Sequence, residues 1–301
     1  MVASPPAIVG AMTQPANDLR HVADMLRFSL SDVGLTGPRK VEEIRRLGDM
    51  KLVDREWDIN DDLTPYLTRV SNWQQRGYTI TSILDRDYPE LLREVREAPP
   101  LIFTQGALLP EERGASIVGS RDAAPGALAA ARDVAGHLVE LGLPVISGLA
   151  AGIDSAAHEG ALDAGGRTVA IMGTGLDHTF PASNRELRQR IIDQDGLVLS
   201  QFLPEENGSK RSFPMRNAVM SGYGIATIVI AATEKSGTHH QARAAVKHGR
   251  GLIFTAKVAT EVSWARALVK DGLAVIAHSP REAADLAAGM LEARDRELSL
   301  F

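Results

Sequence analysis

The run Ala115-Ser116-Ile117-Val118-Gly119-Ser120-Arg121 decides the fold. It is a short apolar segment without polar alternation that stops on glycine, serine and a cation. A strand buried on both faces ends this way where it gives over to a helix. The pattern repeats outward from it. Runs of the same kind stand at residues 145–147, 168–172, 197–200, 226–230, 252–254 and 274–276, and most are separated by helical spacing, clearest at Leu128, Ala131, Ala135 and Leu138. Strands alternating with helices call for right-handed crossovers and a mostly parallel sheet covered on both faces. The fold class is α/β, doubly wound.

Before residue 78 the chain reads differently. Residues 17–75 are charged, with helical spacing at Leu19, Val22 and Leu26 and again at Val41, Ile44 and Leu47; Gly34-Leu35-Thr36-Gly37-Pro38 separates the two as a turn. The expected division is a small helical N-terminal module over residues 1–77, the α/β domain with its lead-in over 78–280, and a C-terminal helix over 281–301. The lead-in holds a strand near residues 101–104. Trp57 and Trp73 read as packing residues of the N-terminal module.

The 301 residues suffice for a real apolar core, and the net charge of -5 excludes a protein coated in positive charge, such as a histone-like DNA packer. A local basic groove remains compatible with it. The absence of cysteine removes disulfides and thiolate metal sites and fits a reducing compartment. Residues 1–15 lack the basic start and apolar run of a signal peptide, and no run reaches the ~20 apolar residues of a membrane helix. A soluble, cytoplasmic protein with no membrane partner is expected.

In a sheet of this kind ligands bind beyond the carboxyl ends of the strands. Those positions carry Gly119-Ser120-Arg121, then Ser147-Gly148-Leu149-Ala150-Ala151-Gly152-Ile153-Asp154, then Gly173-Thr174-Gly175, then Lys235-Ser236-Gly237-Thr238. Glycine lets backbone N–H groups approach an anion, and each helix start adds partial positive charge. Together they make a phosphate site. Gly173-x-Gly175 lacks the third glycine of a dinucleotide fingerprint, and no Walker-type Gly-Lys-Ser/Thr occurs, so nicotinamide oxidation and ATP hydrolysis are poorly supported. A second feature, Lys210-Arg211-Ser212-Phe213-Pro214-Met215-Arg216-Asn217, joins three cations, a ring and an amide. The cations can neutralise phosphates. Phe213 can stack on an unpaired base or pack inward, with a helix starting after Pro214.

In order and spacing the series 116–121, 147–154 with Ala157-His158, Gly173-Thr174-Gly175-Leu176-Asp177 with Phe180-Pro181 and Asn184, and Phe213-Pro214-Met215-Arg216-Asn217 resembles the DprA/Smf family over roughly residues 78–255. The resemblance implies a Rossmann-like fold of the wider SLOG group, single-stranded DNA as ligand, a homodimer, RecA as partner and a role in DNA processing during natural transformation. No cofactor and no metal are implied. The phosphate contacts it implies are Arg121, Lys210 or Arg211, and Arg216, with Phe213 or Asn217 touching a base. The sequence departs from the family pattern at Gln201, where the family usually has Glu, at Ala218, where it has a second Arg, and over 236–242, where Ser236-Gly237-Thr238-His239-His240-Gln241-Ala242 stands for a Ser-Gly-Ser-Leu-x-Thr-Ala type of sequence. The candidate site is therefore Gly119, Ser120, Arg121, Ser147, Gly148, Gly173, Gly175, Lys210, Arg211, Phe213, Arg216, Asn217, Ser236 and Gly237.

Catalytic readings are weaker. Asp154 and His158 share a helix face, yet no third ligand accompanies them, so Asp154 reads as a helix cap and His158 as packing beneath the phosphate loop. Adjacent His239 and His240 cannot both face one metal, and a surface or helix-start role fits them. Glu205 and Glu206 sit in a polar loop and read as solvated. The expectation is binding without turnover; the alternatives are a SLOG-type site for a nucleotide-derived small molecule and an interaction scaffold.

Overall fold

The computed structural model describes residues 19–48 and 62–299, so Trp57 and the first fifteen residues lie outside the described part. Among the described residues one sheet runs in the order β1-β2-β6-β5-β4-β3-β7-β8-β9. Its strands are β1 (Thr79–Ser82), β2 (Leu101–Gly106), β3 (Ala115–Gly119), β4 (Val145–Ser147), β5 (Thr168–Ile171), β6 (Leu197–Ser200), β7 (Ala226–Ala231), β8 (Gly251–Thr255) and β9 (Val275–Ala277). Every run expected from the sequence is a strand, shifted by a residue or two at its ends. From β6 across to β9 all pairings are parallel; β1 and β2 extend the β6 edge antiparallel.

Alternation along the strands sends side chains to two cores. In β3, Ala115 and Ile117 face one and Val118 the other; in β8, Ile253 opposes Leu252 and Phe254. One face is covered by α5 (Pro125–Glu140), α6 (Ile153–Asp163) and α12 (Pro280–Leu298). On the other lie α1 (Leu19–Leu30), α2 (Gly37–Leu47), α3 (Thr64–Gln75), α4 (Glu90–Glu94), α7 (Arg185–Asp193), α8 (Ser212–Tyr223), α9 (Thr238–Lys247), α10 (Ala256–Glu261) and α11 (Ser263–Lys270). The amphipathic N-terminal helices are built into this second core: Val22, Leu26, Val41, Ile44 and Trp73 are buried in the same cluster as Phe103 and Val198. Trp73 meets Phe103 edge to face at 5.3 Å.

The order places β3 between β4 and β7: the chain runs from β3 through β4 and β5 to β6 on one side, then returns across it to β7, β8 and β9 on the other. A crevice opens at such a switch point beyond the strand ends. The register of β3 against β7 shifts between Val118 and Gly119 there. Whatever the fold binds on this rim is framed by the loops after β3 and β7.

Candidate nucleic-acid interface

The turn after β3 is tied down before it reaches solvent. Ser120 gives its backbone N–H to Ala231 O (3.0 Å) and its hydroxyl to Asp122 O (3.0 Å). Arg121 follows, exposed. The loop after β4 presses against this turn: Gly152 has φ of 80°, and a Cβ on it would stand 2.4 Å from Ser120 O. Leu149 in the same loop has φ of 55°, a left-handed conformation that costs a leucine about 1–3 kcal/mol and must be held by its surroundings. Asn184 holds it, donating from Nδ2 to Leu149 O and to Ser155 Oγ, both at 2.9 Å.

Beneath the loop lies a buried charge pair. Arg216, on α8, is 5% exposed. Its Nη1 donates to Gly148 O and to Ile171 O (2.9 Å), and its Nε to Asn217 Oδ1 (3.0 Å). Asp154, in the first turn of α6, is equally buried and accepts backbone N–H bonds from Ala150 and Gly148. Burial pushes the Asp154 carboxyl up and the Arg216 guanidinium down, and the attraction between the two charges opposes both shifts. Gly148 lies between them, where a Cβ would fall 1.8 Å from Arg216 Nη1.

His158, one turn further along α6, is fully buried and bonds through Nδ1 to Thr168 Oγ1 (2.7 Å), not to Asp154. Burial first, and the Arg216 charge second, hold its imidazole down from 6.5 to about 3. Between those values the unfolded chain takes up a proton that the fold refuses, so stability falls as the pH is lowered through this window. At about pH 5 this group alone should cost about 2 kcal/mol relative to neutral pH. Urea unfolding of wild type and His158→Asn at both pH values checks this: the variant should lack that increment. Equal pH dependence would mean that His158 protonates inside the fold.

Two cavities open on the rim. One, of about 450 Å³, lies at the switch point and is lined by the turn from Gly119 to Asp122, by Arg216 and Asn217, and by Ser236, Gly237, His240 and Gln241. The other, of about 560 Å³, is lined by Asp177, His178, Phe180, Arg185 and Lys210 among others. Arg121 and Phe213 line both. At this divide the Phe180 and Phe213 rings lie 5.7 Å apart, and the Arg121 guanidinium sits over them at 6.0 and 5.1 Å. That range is cation–π distance. Phe180 is 53% exposed.

Of the residues expected from the sequence, Gly119, Ser120, Arg121, Phe213, Arg216, Asn217, Ser236 and Gly237 meet at the first cavity, and Lys210 joins Arg121 and Phe213 at the second. The others stand back. Ser147 is fully buried and donates to Ile117 O (2.7 Å). Gly173 receives the Phe213 ring, and Gly175 the carbonyls of Leu203 and Pro204, so both are packing positions. Arg211 is exposed, outside both linings. Helix α8 starts at Ser212 rather than after Pro214, because Ser212 Oγ anchors it to Gly173 O (2.7 Å) and a proline in the first turn forfeits no helical hydrogen bond. Phe180, Arg185 and Gln241 were not anticipated. Phe180 belongs to the Phe180-Pro181 motif, and Gln241 to the divergent stretch 236–242, but neither carries a sign of its role in the sequence; Arg185 has nothing that distinguishes it from an ordinary helix-start residue. Glu205 pairs with Arg69 on the surface, and His239 stacks on Trp264 at 4.8 Å. Among the described residues no group of three or more His, Cys, Asp or Glu is placed to hold a metal ion, and no helix is long and apolar enough to cross a membrane.

Residues 79–287 match the family described as DNA recombination-mediator protein A, a stretch that holds both cavities and well over half of the chain. The chain belongs to this family. The DNA processing protein DprA of Streptococcus pneumoniae is 42% identical over 173 residues, covering 57% of this chain and 60% of that protein. Protein Smf of Synechocystis is 33% identical over 220 residues, covering 71% of this chain and 54% of its own length. The chain thus spans between half and two thirds of the length of these relatives. Solved structures agree on the fold: S. pneumoniae DprA superposes with a TM-score of 0.68 at 27% identity, covering 89% of this chain and 97% of that one. Helicobacter pylori DNA processing protein A, whose structure concerns its single-stranded DNA binding mode, gives 0.62 at 25% identity over 72% of this chain and 96% of that one. In this member of the recombination-mediator family α1 to α3 precede the matched stretch, while every rim residue lies inside it.

Proposed function

We propose that the chain binds single-stranded DNA along the rim, without turnover, in the DNA processing that accompanies natural transformation. The observation that carries this is the divide between the cavities, where Arg121 covers Phe180 and Phe213. A guanidinium offers bidentate bonds to phosphate, and an exposed ring offers a face to an unpaired base. Lys210 and Arg185 extend the cationic path on the same side. Arg216 spends Nη1 and Nε on Gly148, Ile171 and Asn217, and lines the first cavity from beneath with Nη2 left for a phosphate. Binding without chemistry fits the commitment of the acid–base candidates: His158 to Thr168, Asp154 to backbone N–H groups. A homodimer that delivers the strand to RecA in the cytoplasm extends the same reading on the strength of family membership.

Anisotropy with a labelled oligo-dT strand and a duplex of equal length tests it. The single strand should bind tighter, because paired bases cannot reach a ring. Phe213→Ala should weaken single-strand binding by about 1–3 kcal/mol and leave the salt dependence unaltered, since it removes stacking and no charge. Equal affinity for duplex and single strand would remove the stacking role from Phe213.

A further inference from the structure

The 560 Å³ cavity carries a carboxylate among its cations: Asp177 lines it together with Arg121, Arg185 and Lys210. A bare negative charge there would oppose the phosphates that these cations attract. It is not bare. Arg76, at the end of α3, places Nη1 at 2.9 Å from Asp177 Oδ1 and 2.8 Å from Oδ2, and the Tyr78 hydroxyl donates to Oδ1 (2.9 Å). Burial first, and the bond to Asp177 second, hold the Tyr78 phenol above its ordinary range, so it stays a donor. Arg188 is also near, donating to Leu176 O, Thr179 Oγ1 and Gln105 Oε1.

Folding stability gives little reason for this arrangement. The Arg76 and Asp177 side chains are 44% and 23% exposed, and ion pairs so placed contribute little to the fold. What the pair changes is the charge of the cavity wall. Arg76 and Tyr78 both precede residue 79, where the family match begins, so the neutralising groups come from the N-terminal side and the carboxylate from the matched domain. A second contact repeats the pattern. Arg69, on α3, pairs with Glu205; that loop bonds to the Asp177 loop through Asp177 N and Pro204 O (2.9 Å) and runs on into the lining residues Asn207 and Ser209. We propose that Arg76 is a positioning residue for strand binding, which keeps the Asp177 carboxylate neutralised so that the second cavity accepts a phosphate. The proposal rests on the single-stranded DNA reading of the rim and gives the N-terminal helices a part in it.

A double-mutant cycle on labelled oligo-dT tests it. Arg76→Met should weaken binding about five-fold at about 50 mM salt, as one uncompensated charge near a phosphate does in water, and by less at about 200 mM. Arg76→Met combined with Asp177→Asn, which removes both charges, should return to within about two-fold of wild type. Arg76→Lys keeps the charge and should keep the affinity. Arg76→Gln should repeat the cycle with a polar side chain, and circular dichroism checks that every variant folds. A double variant as weak as Arg76→Met overturns the proposal, because Arg76 would then be a direct phosphate contact or a brace for the loop. So does an Arg76→Met that binds like wild type. If wild type itself binds no strand, the DNA reading falls and this role falls with it. If wild type binds and the double variant fails to recover, only the role of Arg76 falls.

Discussion

Arg121→Ala should lower the affinity for oligo-dT by about 10- to 100-fold, which corresponds to the ~1.5–3 kcal/mol of a hydrogen bond to a charged group. The side chain sits where both cavities meet, exposed, at the end of a turn that Ser120 fastens to Ala231 and Asp122. A cation held in place loses little entropy on contact with phosphate. The loss should come with a shallower salt dependence, by about 0.7 in the slope of log affinity against log salt for each phosphate contact removed from a single strand. Thermal unfolding should hardly change, because the residue bridges nothing in the core. Unaltered affinity and slope would mean that the strand takes another path over the molecule.

Arg216→Ala should act the opposite way, through the fold. It strips two carbonyls, Gly148 O and Ile171 O, of their donor and leaves the buried Asp154 carboxylate without its counter-charge. Breaking a buried pair from one side typically costs about 3–5 kcal/mol. Arg216→Lys should recover only part of this, since an ammonium cannot reproduce the guanidinium fork that serves the two carbonyls and Asn217 together. Gly148→Ala should resemble Arg216→Ala, because its Cβ would occupy the place of Arg216 Nη1, 1.8 Å away. Urea unfolding of the three variants measures all of this. A stable Arg216→Ala with a shallower salt slope would make Arg216 a phosphate contact and not a prop.

The sheet was legible because each buried strand has to be an apolar run and each rim loop has to be small. Residues 145–147 and 197–200 needed nothing more than that. The N-terminal helices were legible as helices from Val22, Leu26 and Ile44, but not their union with the sheet core, since periodicity tells which side of a helix is apolar and not what covers it. The site divides in the same way. Gly119, Arg121 and Ser236 could be placed on one rim because strand ends converge there. The split between exposed Arg121 and buried Arg216 could not be read, as both are arginines beside glycine-rich loops and only packing distinguishes them. Gly173 and Gly175 show the converse: glycine admitted a ring and two carbonyls, and the sequence gives no hint whether a glycine admits a ligand or a neighbour. Phe213 had two readings, and its half-buried place is compatible with both: the ring packs against Gly173 and lines both cavities.

A rim that grips a phosphate chain must lose affinity as salt rises. Oligo-dT anisotropy across a salt series from about 50 to about 200 mM measures that directly. Contacts from Arg121, Lys210 and Arg185 predict a slope of about −2 in log affinity against log salt. A slope near zero, with ATP, NAD or ADP-ribose binding tightly in the same buffer, would contradict it and assign the cavities to a small nucleotide instead.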